Sequence, residues 1–183
     1  LPGNEGLALE QLTQEFALVE QSVRKISGTE ILKLPSVSNR SVLQLMKLFE
    51  NTLNPLYLTG RQYTYCLVAT RLMALTVKHG QCDITSIAMR SYMMTRARMN
   101  LPYLDCYQVG RIACEFADKY DNRYYSCAVY QVFCGGYQTW IEPLENSFPL
   151  LRRCVDWGFD GINPVYSGYS ALLLGCNLMT KGL

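Results

Sequence analysis

Apolar side chains recur at three- and four-residue intervals through most of this chain, the spacing that places them on one face of an α-helix. The first such stretch covers about residues 5–26 and predicts an amphipathic helix that either packs against the rest of the chain or serves as a connector. About two heptads are too few to indicate a coiled coil. The apolar stripe of this helix consists of Leu9, Leu12, Phe16, Val19 and Val23.

Seven further helices are predicted from the same spacing and from the residues that interrupt it. Ser27-Gly28 is expected to end the first helix, Asn54-Pro55 the second and Gly80 the third, because proline lacks a backbone N–H and glycine tolerates positive φ. Asp83 is the expected cap of the fourth helix. No stretch predicts a strand. The later helices are expected at about residues 39–53, 58–79, 83–99, 103–120, 122–140, 143–158 and 164–179.

A longer period runs through the second half of the chain, where a helix end, a short polar break and a helix that opens with small residues recur. The serines that mark it, Ser86, Ser126 and Ser167, lie 40 and 41 residues apart. Such a period is typical of stacked helical hairpins. We therefore predict an all-α fold of about eight helices, stacked as tetratricopeptide-like hairpins in a right-handed superhelix. The expected divisions are an N-terminal helix or connector at 1–26 and a helical-repeat domain at 27–183, with units at about 56–99, 101–141 and 143–180.

Small residues on the predicted helix faces indicate close helix crossings, because a bulky neighbour fills the space that glycine or alanine leaves. Gly110 is the clearest case, on the same face of the fifth helix as Tyr107 and Ala113. The same role is expected of Ser126 with Ala128, and of Ser167 with Gly168 and Ala171.

Composition narrows the class of protein. The chain has 183 residues, of which 49% are hydrophobic, enough for a continuous core. Its formal net charge of +2 comes from 17 basic and 15 acidic residues, too even a balance for the strong positive field of a duplex-binding surface. Nucleic acid is therefore not an expected partner.

The eight cysteines would suggest a disulfide scaffold in a small secreted chain. Here they lie mostly within apolar helical patterns and none forms a C-x-x-C, so we expect reduced core residues in a cytoplasmic protein. No apolar stretch reaches the roughly 20 residues that cross a bilayer, and no signal peptide is visible after Leu1. Because no initiating Met is present, we expect a piece of a longer chain. The cysteines are Cys66, Cys82, Cys106, Cys114, Cys127, Cys134, Cys154 and Cys176.

Residues with catalytic or ligand-binding chemistry are sparse. His79, the single histidine, precedes Gly80 at a predicted helix end, where a cation or a capping donor is ordinary. One histidine and scattered cysteines do not complete a usual zinc set. The segment 134–137 (CGGY) does not follow a strand and is expected to be a packing or bending point. We predict no catalytic, cofactor or metal site.

Charged residues are expected mainly on solvated helix faces or ends. This applies to the two pairs of acidic residues that resemble acid–base pairs, Glu142 with Glu145 and Asp156 with Asp160. It applies equally to Arg152-Arg153 and to Arg96-Ala97-Arg98.

The thirteen tyrosines leave two alternatives open. They either fill the gaps between repeats, with their hydroxyls at the rim, or line a binding groove, since tyrosine combines apolar area with a polar tip. The candidates are Tyr63, Tyr92, Tyr103, Tyr107, Tyr124, Tyr125, Tyr130, Tyr137, Tyr166 and Tyr169.

Seven short motifs, in order, resemble those of one protein class: large bacterial signalling proteins that join a serine/threonine-kinase-like domain, a STAND-type predictive ATPase, tetratricopeptide-like repeats, a GAF domain and often a histidine kinase. The resemblance is to the helical-repeat region and covers about residues 22–180. Two departures are His79-Gly80, where the family usually has Tyr-Gly, and Leu32-Lys33, where it has Asp-Leu. The motifs are 27–35 (SGTEILKLP), 53–57 (LNPLY), 75–80 (LTVKHG), 107–113 (YQVGRIA), 140–144 (WIEPL), 148–152 (FPLLR) and 166–171 (YSGYSA).

The resemblance implies a non-catalytic scaffold in a cytoplasmic two-component or kinase signalling protein, and no catalytic residue is carried over from the family. Its partners would be the neighbouring ATPase and kinase domains or another signalling protein, with a peptide or small ligand in a concave groove. The alternative is a small-molecule-binding or enzymatic helical bundle with a pocket lined by tyrosines and cysteines. That alternative predicts one deep, enclosed cavity containing a group with a strongly shifted pKa.

Overall fold

Helices make up most of the computed structural model, which describes residues 3–26 and 30–182. Within that part of the chain there are eight α-helices, short 3-10 turns and a single isolated β-bridge between Ser36 and Gln81. The predicted all-α class and the number of helices are confirmed. The helices are α1 (Glu5–Lys25), α2 (Arg40–Leu58), α3 (Gln62–His79), α4 (Thr85–Arg98), α5 (Tyr103–Tyr120), α6 (Arg123–Gly136), α7 (Phe148–Phe159) and α8 (Pro164–Thr180).

Asparagine side chains begin half of these helices. The side chains of Asn4, Asn39, Asn122 and Asn163 each accept a hydrogen bond from a first-turn backbone N–H of α1, α2, α6 and α8. The first backbone N–H groups of a helix have no acceptor within the helix, so each asparagine cap satisfies one of these donors. Local sequence therefore determines where these four helices start.

Several predicted helix ends are wrong. The second helix does not stop before Pro55 but continues to Leu58, and the carbonyl oxygen of Pro55 accepts from both the backbone N–H and the hydroxyl of Thr59. Proline removes only one backbone N–H donor from the helix, and the hydrogen bonds from Thr59 to the Pro55 carbonyl complete the last turn. The sixth helix ends at Gly136, not near residue 140, because the chain enters a 3-10 turn. The predicted stop at Ser27-Gly28 lies outside the described residues.

The predicted cap of the fourth helix is also wrong. Ile84 occupies the cap position and makes no side-chain cap bond, while Thr85 Oγ accepts from the backbone N–H of Cys82. The side chain of Asp83 instead accepts from Asn122 Nδ2, 3.1 Å away. A contact between two connecting segments therefore takes the carboxylate that the helix would otherwise have used.

Helix α6 contacts both α4 and α8, and we refer to these three helices as a layer. Helix α5 packs against both α4 and α6, and α7 packs against both α6 and α8. The joints between neighbours in this layer are alike. Asn122, at the start of α6, donates to Asp83 before α4, and Asn163, at the start of α8, donates to the backbone oxygen of Tyr124 in α6. Both bonds span 39 residues, close to the serine period. This recurrence supports the repeat, while the superhelical stacking stays a prediction.

The first helix packs along α3, and a buried ion pair joins it to α4. Arg96 Nη2 lies 2.8 Å from Glu20 Oε1, with side chains only 7% and 11% exposed. The prediction of a solvated Arg96 is therefore wrong. Position along one helix does not reveal that α1 covers this side of α4. Arg152 and Arg153, in contrast, are exposed as predicted.

Two glycines, Gly110 and Gly158, lie at close helix crossings, and the crossing at Gly110 was predicted. A Cβ atom on Gly110 would lie 2.5 Å from Met93 Sδ and from a ring carbon of Phe133, so α4, α5 and α6 meet there. Gly158 of α7 approaches the side chain of Ser167 equally closely. The prediction that Gly168 and Ala171 also lie at a close crossing is wrong, since both are exposed on α8.

Candidate functional site: an inner groove along α4

A concave groove runs along α4, and we call it the inner groove. It has two adjoining basins of about 400 and 490 Å³. Tyr57, Tyr65 and Met94 line both basins and form the boundary between them. The first basin is built by α2, α3, α4, α6 and α8, so residues far apart in the sequence form one surface. Its remaining lining residues are Asn54, Leu58, Arg90, Gln131, Val132, Val165, Tyr166 and Tyr169.

The wall of the inner groove is apolar with a few polar positions. Leu58, Val132 and Val165 line the first basin, and Cys66 and Ala97 line the second. The polar residues Asn54 and Gln131 also line the first basin. A mostly apolar wall with a few convergent polar groups is typical of ligand sites in this range of volume.

Arg90 forms the charged part of the first basin. It is only 4% exposed, and its Nη1 donates to the hydroxyl of Tyr166 and its Nη2 to Ser91 Oγ, both at 3.2 Å. Its Nε has no hydrogen-bond partner. The Tyr166 hydroxyl in turn donates to Asn54 Oδ1 at 3.1 Å, which fixes the ring at the rim of the basin.

No carboxylate of the described residues lies within 4.0 Å of the Arg90 guanidinium. The acidic neighbour that acts on it from further away is Glu50. Burial is the main cause that raises the pKa of Glu50, and the charge of Arg90 and the hydroxyl of Tyr125 oppose this rise only in part. Since an arginine stays protonated in proteins, the groove contains a buried cation without an ion-pair partner.

The structure divides the tyrosines between the two alternatives that the sequence left open. Tyr92, Tyr107 and Tyr130 are buried in the core, whereas Tyr166 and Tyr169 line the inner groove. Tyr137 does both, since it is buried and lines the second basin. The candidate set omitted Tyr57 and Tyr65, which lie at the centre of the groove.

Arg90 was also missed, although the sequence contains a signal for it. The residue lies between Ile87 and Met93 in an otherwise apolar or small stretch of α4. A basic residue inside such a stretch is either paired in the fold or positioned for a ligand. Local spacing does not distinguish these two cases, because the absence of a partner depends on which helices surround α4.

The carboxylate pairs that the sequence suggested do not act together. Glu142 accepts from the Tyr107 hydroxyl, Gln138 Nε2 and Asn146 Nδ2, and these bonds, that of Gln138 first, lower its pKa. Glu145 instead forms an ion pair with Lys181. Asp156 and Asp160 are exposed, as predicted. Glu142 therefore joins α5 to the turn that follows α6, which makes it a structural group.

The remaining predicted residues lie away from the inner groove. His79 is the last residue of α3, and Gly80 follows it with φ +105°. All eight cysteines are free, and six of them are buried. In the described ranges, no three His, Cys, Asp or Glu side chains are grouped so that they could hold a metal ion.

None of the helices within residues 3–26 and 30–182 has both the length and the apolar character that crossing a bilayer requires. The chain has no significant match to a protein-family model, to a curated protein or to a solved structure.

Proposed function

We propose that this chain is a non-catalytic helical-repeat scaffold that mediates protein–protein or interdomain contact and relays a signal in a cytoplasmic multidomain ATPase or kinase. The observation that carries the proposal is the composition of the first basin, to which α4, α6 and α8 all contribute. Each of these helices has a buried serine in its first turn, Ser86, Ser126 and Ser167. A partner in the groove would therefore contact three successive units at once.

Such a contact provides a physical route for a signal. Stacked units touch mainly their neighbours, so the angle between units depends on a few interfaces. A partner that binds one arrangement of α4, α6 and α8 more tightly than another shifts the population toward it. Domains attached at either end of the stack would then change their separation or orientation.

The alternative of an enzymatic bundle has less support. It requires a titrating group with a strongly shifted pKa inside an enclosed cavity. Burial strongly raises the pKa of Tyr137, which lines the second basin, but that basin is open and not an enclosed cavity. Burial, with hydrogen bonds to carboxylates, also strongly raises the pKa of Tyr92 and of Tyr130, but neither of these residues lines the inner groove. These hydroxyls bond to Glu20 and Asp118 within the packed helices.

The test is a binding titration between this chain and the ATPase region that the resemblance places in the same polypeptide, performed with ATP, with ADP and without nucleotide. We expect nucleotide-dependent binding that Tyr169→Ala weakens, because this side chain is exposed at the groove. The matched control is Phe159→Ala, which removes an aromatic residue that is 87% exposed outside the groove. Binding that is absent in all three nucleotide conditions would refute the relay.

A further inference from the structure

The inner groove has an unpaired cation at each end. Arg90 lies in the first basin and Arg98 in the second, and both belong to α4. Arg98 is exposed and donates to Gln62 Oε1, a neutral acceptor. No ion pair involving Arg90 or Arg98 occurs in the described chain. The other half-buried or buried arginines of α3 and α4, Arg71 and Arg96, each have a carboxylate partner.

The buried member of this pair is the stronger indication of a ligand. A buried charge is costly unless a counter-charge or hydrogen bonds satisfy it, and Arg90 has an unpartnered Nε and hydrogen-bonds only to neutral hydroxyls. A carboxylate in the first basin would supply the missing charge. Guanidinium and carboxylate form short, charge-assisted hydrogen bonds that are roughly twice as strong as neutral ones.

The spacing of the two arginines along α4 suggests the length of the ligand. Eight residues separate Arg90 from Arg98, which is about 12 Å along the helix axis at ~1.5 Å per residue. An extended peptide covers this distance with about four residues at ~3.3 Å each. Between the two arginines the groove is lined by Tyr57, Tyr65 and Met94, which suit apolar side chains. Asn54 and Gln131 also line the first basin and bring side-chain amides that can hydrogen-bond a peptide backbone.

We propose that the inner groove binds an extended acidic peptide segment, with a terminal carboxylate at Arg90, apolar side chains over Met94 and a second carboxylate near Arg98. This inference rests on the proposed function, because it specifies the chemistry of the partner for the same groove. Charge complementarity selects the occupant. Neither basin contains a carboxylate side chain that would repel it.

The test uses isothermal titration calorimetry with the tetrapeptide acetyl-Asp-Ile-Tyr-Leu bearing a free C-terminus. Two control peptides carry a C-terminal amide or an Asn in place of the Asp. We expect the amide to bind roughly tenfold more weakly than the acid, because it loses the charge-assisted bonds to Arg90. The Asn peptide should lose less, about threefold, because Arg98 is exposed and its charge is screened.

Three variants assign these losses to residues. Arg90→Met should abolish the preference for the acid over the amide, and its melting temperature should not fall, because an unpaired buried charge is removed. Arg98→Gln should abolish only the preference for Asp over Asn, and as a surface change it keeps the test valid if Arg90→Met misfolds. The control Arg40→Gln removes an exposed arginine outside the groove and should change neither preference.

Each other outcome is also decisive. Equal binding of acid and amide overturns the proposal, and so does an acid preference that persists in Arg90→Met. Binding of acetyl-leucine as tight as that of the tetrapeptide would indicate a small carboxylate and not a peptide. If the peptides do not bind but the nucleotide-dependent titration succeeds, this inference fails and the scaffold proposal stands. The reverse pattern removes the relay and retains the groove chemistry.

Discussion

Glu20 of α1 and Arg96 of α4 form a buried ion pair across 76 positions of sequence, with 2.8 Å between Glu20 Oε1 and Arg96 Nη2. The second carboxylate oxygen of Glu20 accepts from the Tyr92 hydroxyl at 2.9 Å. Arg96 also donates to the backbone oxygen of Asp105 at the start of α5. One carboxylate therefore joins the first helix to the layer that carries the inner groove.

Glu20→Ala should lower the free energy of unfolding by about 3–5 kcal/mol, because it leaves Arg96 buried without a counter-charge. Chemical denaturation monitored by circular dichroism measures the change. The double variant Glu20→Leu with Arg96→Met should recover most of the loss, since no charge then remains buried.

Glu15→Ala is the matched control for this pair. It removes a carboxylate of the same helix whose partner, Arg71, is partly exposed, and it should cost less than about 1 kcal/mol. Similar losses for Glu15→Ala and Glu20→Ala would show that burial of the second pair has no special role.

Gly110→Leu should lower the free energy of unfolding by about 1–3 kcal/mol or more, because its side chain would enter the space that Met93 and Phe133 occupy. Gly175→Ala serves as the control, since it lies in mid-helix of α8 with nothing within 4 Å of the added Cβ. There, alanine should stabilise the protein by up to about 1 kcal/mol through helix propensity. A thermal melt that shows no loss for Gly110→Leu would contradict the close crossing of α4, α5 and α6.

Gly80→Ala should cost at least about 2 kcal/mol, from positive-φ strain and from a clash with backbone. A Cβ atom there would lie 2.0 Å from the carbonyl oxygen of Pro35, which accepts from the backbone N–H of Gln81. Gly60→Ala is the control, because its φ of +71° gives strain alone, with open space around the Cβ. Equal costs for the two substitutions, measured by denaturation, would exclude the backbone contact as a cause.

The buried tyrosines should make the free energy of unfolding fall at alkaline pH. Burial is the main cause that raises the pKa of Tyr92, Tyr125 and Tyr130 above the ordinary value near 10. Above about pH 10 the unfolded chain loses these protons and the folded chain keeps them, so stability declines as pH rises. Below that pH their contribution is fully present.

Tyrosinate absorbance and circular dichroism, followed in one titration, test this linkage. The last part of the absorbance change should coincide with the loss of helical signal. Tyr130→Phe should reduce the pH dependence of stability above pH 10 by about one proton. Ionisation of all thirteen tyrosines with the helical signal intact would contradict the raised pKa values.

Sequence reasoning succeeded where local chemistry is sufficient. The glycine that ends α3 was predicted correctly, because a positive φ involves only one residue and its immediate neighbours. The predicted helix end at Pro55 was wrong, because the hydrogen bonds of the following turn compensate for the one backbone donor that proline lacks. Sequence reasoning also failed at Asp83, whose carboxylate bonds to a segment 39 residues away.

The sequence by itself determined the helices, their number and the 40-residue recurrence of small residues, because helical periodicity and capping are short-range properties. Only the tertiary structure decided that Arg96 has a buried partner and that Arg90 has none, although the two lie on the same helix. The physical reason is that the energy of a charge depends on which groups surround it in three dimensions. The surroundings of α4 are supplied by helices from both ends of the chain.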